Sequence, residues 1–150
     1  MTTETKIRTL AAADETLADL LGFPLFRWFD TQLPQGYIGQ GTCVRVLRVS
    51  TARLYTHETH GAASVVNQAL ARFQFDVLDY DPEQTRRVAA AIRDWLATVD
   101  FSSTDQLDSP PVTPRRHPNA VLNQRHGMDY QLQPPVHVET LDVRIFDLEE

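Results

Sequence analysis

Apolar residues along this chain repeat with two different periods. Near the start Ile7, Leu10 and Ala11, then Leu17, Leu20 and Leu21, recur at helical spacing. Asp14 and Glu15 interrupt that stripe. Asp14 is placed to cap a second stretch of helix and Gly22 to end it. Residues 4–21 therefore read as one kinked helix or two short ones. Leu25 to Phe29 is an apolar, aromatic run that reads as a short strand, and Gln32-Leu33-Pro34-Gln35-Gly36 reads as a turn or loop. Thr42–Val49 is rich in β-branched residues and predicts a strand. Its apolar positions shift phase, from Val44 and Val46 to Leu47 and Val49, which a β-bulge would explain.

The region 50–67 reads as an extended hairpin or loop. Ala69–Tyr80 carries the clearest alternation, with Phe73, Phe75 and Val77 on one face and Arg72, Gln74 and Asp76 on the other. A helix over 82–98 follows. Asp81 is its N-cap, Pro82 takes the first helical position, and Gln84 stands where a capping box places its return bond. Val88, Ile92, Trp95, Leu96 and Val99 form its apolar stripe, opposite Arg86, Arg87, Arg93 and Asp94. Pattern then gives way to a proline-rich loop at about 101–118, too long for a simple connection. A strand is expected within Ala120–Leu132, broken by Pro134-Pro135. A last one spans Val136–Leu148, with Leu141, Val143 and Ile145 facing in and Asp142 and Arg144 facing out. The economical arrangement is one α+β domain over residues 1–150: a mainly antiparallel sheet with two helices packed on one face. The other sheet face is then solvated or covered by a neighbour.

Composition narrows the function classes. A chain of 150 residues with 42% hydrophobic and 23% charged residues has enough apolar matter for a core. No stretch approaches the roughly 18 apolar residues that cross a bilayer, and no apolar run follows a basic start, so neither membrane nor signal peptide is expected. A net charge of −6 argues against wrapping nucleic acid or reading its sequence. The charge is nevertheless uneven. Arg45, Arg48 and Arg53 cluster, as do Asp76, Asp79 and Asp81, which suits head-to-tail self-assembly.

Candidate chemistry is sparse. His57-Glu58-Thr59-His60 has its histidines three apart rather than the four that a zinc-binding helix needs, and Gly61 follows at once, so these read as polar loop or interface residues. Cys43, the sole cysteine, begins a strand without a helix N-terminus to activate it and reads as a small buried residue. Asp76, Asp79, Asp81 and Glu83 are better used as strand and cap residues than as cation ligands. The sequence shows no nucleophile elbow and no phosphate loop, and its glycines number only six. No catalytic residue, cofactor or metal is expected. Tyr37, Tyr55 and Tyr130 lie in or beside predicted loops, where aromatic residues anchor protein contacts. Phe26 and Trp28 suit the core or an interface.

Four segments, in order, resemble the tail-terminator (tail-completion) proteins of long-tailed bacteriophages. They are the first helix ending Leu17-Ala18-Asp19-Leu20-Leu21-Gly22, and Phe26-Arg27-Trp28-Phe29 leading to the P-x-G turn Pro34-Gln35-Gly36. They continue with the R-x-Q-x-D strand Arg72-Phe73-Gln74-Phe75-Asp76 before a capped helix, and with the closing strand Val138–Phe146 with its D-x-R-I end. The resemblance implies a non-enzymatic virion subunit, made in the host bacterial cytoplasm. Six copies would form a ring on the head-proximal end of the tail tube, end its polymerisation and present the surface for head-tail joining. The implied partners are further copies of the chain, the tail tube protein and head-completion or neck proteins. The proline-rich loop departs from the family and is not carried over. Strand 43–49, loop 50–67 and the outward face of 72–76 are the expected ring contacts, through Arg45, Arg48, Arg53, Tyr55, His57, Glu58 and Arg72. Two alternatives stand beside this: a head-completion or neck-adaptor subunit, and a small ligand-binding or enzymatic α+β domain.

Overall fold

The computed structural model describes residues 2–22, 28–29, 38–54, 67–99, 101, 119–132 and 134–149, without side chains at 52–54, 67–69 and 146–149. Two helices open the chain, α1 (Thr3–Ala13) and α2 (Glu15–Leu21). Asp14 makes the break. Its backbone is extended, its N–H closes on Ala11 O at 3.2 Å, and its carboxylate accepts from Leu17 N at 3.0 Å. One residue thus ends the first helix and caps the second. Gly22, at φ 75°, terminates α2 in a backbone region that side chains with a Cβ avoid. The third helix, α3 (Pro82–Thr98), starts as expected, with the Asp81 carboxylate accepting from Glu83 N at 3.0 Å and Pro82 at its head.

Five strands make one sheet in the order β1-β2-β3-β5-β4. They are β1 (Trp28–Phe29), β2 (Cys43–Leu54), β3 (Asn67–Asp79), β4 (Ala120–Asp129) and β5 (Val136–Glu149). A short 3₁₀ turn, Ile38–Gln40, precedes β2. Neighbours β2 to β4 pair antiparallel, but β1 runs parallel to β2, so the sheet is mixed. The described helices number three rather than two, because Asp14 splits the first.

Register decides which side chains share a face. Val77, Phe75 and Phe73 of β3 lie opposite Val44, Val46 and Arg48 of β2, and Phe75 and Phe73 also oppose Leu141 and Val143 of β5. The helices cover this face. Ile7, Leu17, Val88, Ile92 and Leu96 pack on it with no more than 2% exposure. Trp28 sits at the middle, edge-on to Phe75 and to Trp95, each at 5.8 Å, and Trp95 meets Phe101 edge-on at 5.7 Å. Each such ring pair contributes about 0.5–1.5 kcal/mol beyond its buried area. Trp28 is therefore core, while Phe26 lies outside the described residues.

The expected bulge in β2 exists, with a different result. Pairing shifts between Arg48 and Ser50, leaving Val49 as the extra residue, 57% exposed. Leu47 stays on the outer face. The phase change in the apolar pattern did not turn these residues toward the core, because the bulge falls after Leu47 and at Val49 itself. A second bulge in β4 leaves Leu122 out in the same way, 47% exposed.

Phe101 is fully buried, and Lys6 Nζ donates to its carbonyl at 3.3 Å. Asn119, just ahead of β4, donates from its side-chain amide to Leu96 O and Val99 O at 3.0 and 2.9 Å. Those carbonyls at the end of α3 would otherwise lack partners within the helix. The proline-rich stretch between these anchors lies outside the described residues.

Candidate interface surface

The outer face of the sheet has no α-helix against it among the described residues. One end of it is apolar. Cys43, Leu78, Val136 and Val138 cluster there under Ile38, with Phe29 and Leu132 alongside. Cys43 is fully buried, as expected of a small residue at the start of a strand, and its thiol donates to Gly41 O at 3.7 Å.

Next to this cluster, Asp76 holds the centre of the face. Alternation placed it opposite Phe75, and it does lie there, yet it is only 1% exposed rather than solvated. Arg45 donates to Asp76 Oδ2 from Nε at 3.1 Å and from Nη2 at 2.7 Å. Gln74 and Thr140 donate to Oδ1 at 3.0 and 2.9 Å. The side chains of β2, β3 and β5 thus satisfy both carboxylate oxygens and keep water off them. A concave groove of about 500 Å³ opens beside the network, bounded by Arg45, Asp76, Thr140, Arg125 and Tyr130. Tyr130 is 71% exposed at its rim, and Arg125 pairs with Asp142 at 2.9 Å.

The far end of the face is basic. Arg72 and Arg144 are cross-strand partners in the β3–β5 register, and both are exposed. Among the described residues neither has a carboxylate partner. Like charges directly opposite one another destabilise a sheet. Of the expected interface residues, this places Arg72 where contact is possible. Arg45 is committed to Asp76 inside the molecule. Arg48 lies on the opposite, helix-covered face, which corrects its grouping with Arg45 and Arg72. It grips Glu4 of α1 with two bonds, at 2.8 and 3.0 Å, donates to Thr51 at 2.7 Å and lies over the Phe73 ring at 5.1 Å. That guanidinium bond holds the Glu4 carboxyl below the usual glutamate range, although partial burial opposes the shift. Arg53 lies on β2 without a described side chain, and Tyr55, His57 and Glu58 fall outside the described residues, as do Tyr37 and His60.

A third polar group went unnoticed in the sequence. Glu139, 5% exposed, accepts from Gln124 Nε2 at 2.9 Å and meets His126 Nδ1 at 2.9 Å. Gln124 Oε1 in turn accepts from Arg93 of α3 at 2.6 Å. His126 Nε2 then faces His137 Nδ1 at 3.3 Å. These residues come from β4, β5 and α3, and no local motif links them. Among the described residues no group of three or more His, Cys, Asp or Glu side chains is disposed to hold a metal ion. No described helix is long and apolar enough to cross a membrane. No protein-family model matches the chain, and no curated protein matches it in sequence.

Proposed function

We propose that the chain is a structural ring subunit of a long-tailed bacteriophage, a tail terminator that caps the head-proximal end of the tail tube and offers the surface for head-tail joining. The observation that carries this reading is the facing pair Arg72 and Arg144 on a sheet face without a helical cover. An exposed like-charge pair costs a monomer stability and is relieved when a neighbour brings carboxylates to it. Such carboxylates are exposed on the opposite side of the molecule, at Glu15 and Asp19 of α2. A basic patch on one side and an acidic one on the other favour a heterologous contact, which closes into a ring when the rotation permits. The sequence resemblance supplies the ring's place on the tail.

The test is electron microscopy of purified tails made with the wild-type chain, without it, and with Arg72→Glu. The reading expects six copies at the head-proximal tube end and overlong tubes when the protein is missing. Arg72→Glu sets a carboxylate opposite Arg144. The isolated chain then gains a few tenths of a kcal/mol in urea denaturation, as cross-strand ion pairs do, while ring assembly is lost. Normal tubes without heads would make the chain a neck adaptor instead. Rings formed equally well by Arg72→Glu would remove the basic patch from the interface.

A further inference from the structure

The geometry points to a binding site for one divalent transition-metal ion, of the zinc, nickel or copper class, between His126 of β4 and His137 of β5. Two imidazole nitrogens, His126 Nε2 and His137 Nδ1, face each other at 3.3 Å. Nitrogens bound to a tetrahedral zinc at about 2.0–2.1 Å are themselves about 3.3 Å apart. The ring planes are inclined by only 26°, with centroids 5.4 Å apart. That separation lies in the range of offset ring pairs, so the rings do not sit squarely face to face.

What distinguishes this pair from two surface histidines is the support behind His126. Its Nδ1 lies 2.9 Å from Oε2 of Glu139, a carboxylate almost wholly removed from water. A carboxylate can only accept, so Nδ1 carries the hydrogen, and in the neutral ring Nε2 presents its lone pair toward His137. A carboxylate behind a histidine, fixing its tautomer and raising its basicity, is the usual outer layer of a metal-binding imidazole. Here that layer extends further, since Gln124 holds the second oxygen of Glu139 and Arg93 holds Gln124. Imidazole nitrogens suit zinc, copper and nickel rather than calcium or magnesium. The chain itself supplies two ligands. Asp79, the β3 partner of His137 in register, already accepts from Thr42 and from Asp81 N. The remaining positions fall to water or to a residue of another molecule, which the exposed place of His126 on an outer strand allows.

The experiment is isothermal titration of the full chain with zinc chloride at neutral pH. Circular dichroism checks that each variant is folded. The expected result is saturable binding of one ion per chain. His126→Ala and His137→Ala, each at an accessible position, weaken it at least tenfold. Glu139→Gln weakens it about 10–100-fold, as loss of an outer-layer carboxylate does. The double variant His57→Ala with His60→Ala binds as the wild type does. Absence of saturable binding at millimolar zinc would mean that the two rings share only a hydrogen bond, and would overturn the site. So would binding that survives His126→Ala, or that disappears with His57 and His60.

Discussion

Asp76 receives four hydrogen bonds from three side chains while almost out of reach of water. Removing it leaves the guanidinium of Arg45, still three-quarters covered, without its counter-charge. Losing one member of a buried pair costs about 3–5 kcal/mol, and the partial exposure of Arg45 argues for the low end, about 3 kcal/mol. Urea denaturation of Asp76→Ala reads this directly as a fall in midpoint with an unchanged slope. A loss below 1 kcal/mol would mean that water replaces the carboxylate freely. The Arg48–Glu4 pair lies at the other extreme, because both side chains keep about a quarter of their surface in water. Its worth is about 0.5 kcal/mol. Glu4 is depressed in the folded state, so its contribution is complete above the ordinary glutamate value of about 4.3 and disappears as pH falls through the lower folded value. Stability curves of wild type and Glu4→Gln should differ at pH 6 and converge toward pH 3. Alternation in the sequence already put Asp76 opposite Phe75. Its partners were hidden because Arg45 and Thr140 lie 31 and 64 residues away, and only register brings them together. Glu139, His126 and His137 escaped notice for the same reason.

Local elements were most legible where short-range chemistry sets their ends. Asp81-Pro82 announces α3 and its apolar stripe faces inward as written, since capping and periodicity act over a few residues. Asp14 left open whether the first helical segment was one piece or two. The structure resolves it as two, because a carboxylate that bonds forward to Leu17 N holds its own backbone extended. Asp14→Ala removes that bond at a cost of about 1 kcal/mol. For a chain of this size the expected loss in melting temperature is about 2–4 °C, measurable by circular dichroism. An unchanged melting temperature would show that packing of Leu17 and Leu21 alone holds α2 in place. The parallel direction of β1 was not legible. Two residues carry no periodicity, and their orientation follows from where Trp28 must stand to meet Phe75 and Trp95.

At the scale of the molecule, the layer arrangement followed from the sequence: alternating strands offered one apolar face and the helical stripes supplied its cover. The outer face was harder, because a polar strand position reads alike whether it meets water, a network or a neighbour. Asp76, Arg125 and Arg72 have similar sequence settings and three different fates: buried, paired and exposed. Phe101 and Asn119 give the molecule a last property. Both are fastened to the end of α3, one through the ring of Trp95 and the other through the carbonyls of Leu96 and Val99. Residues 101 and 119 are therefore held at one place in the fold, beside the final turn of α3. Neither anchor draws on a residue between them, so selection could change the number of those residues and leave both contacts in place.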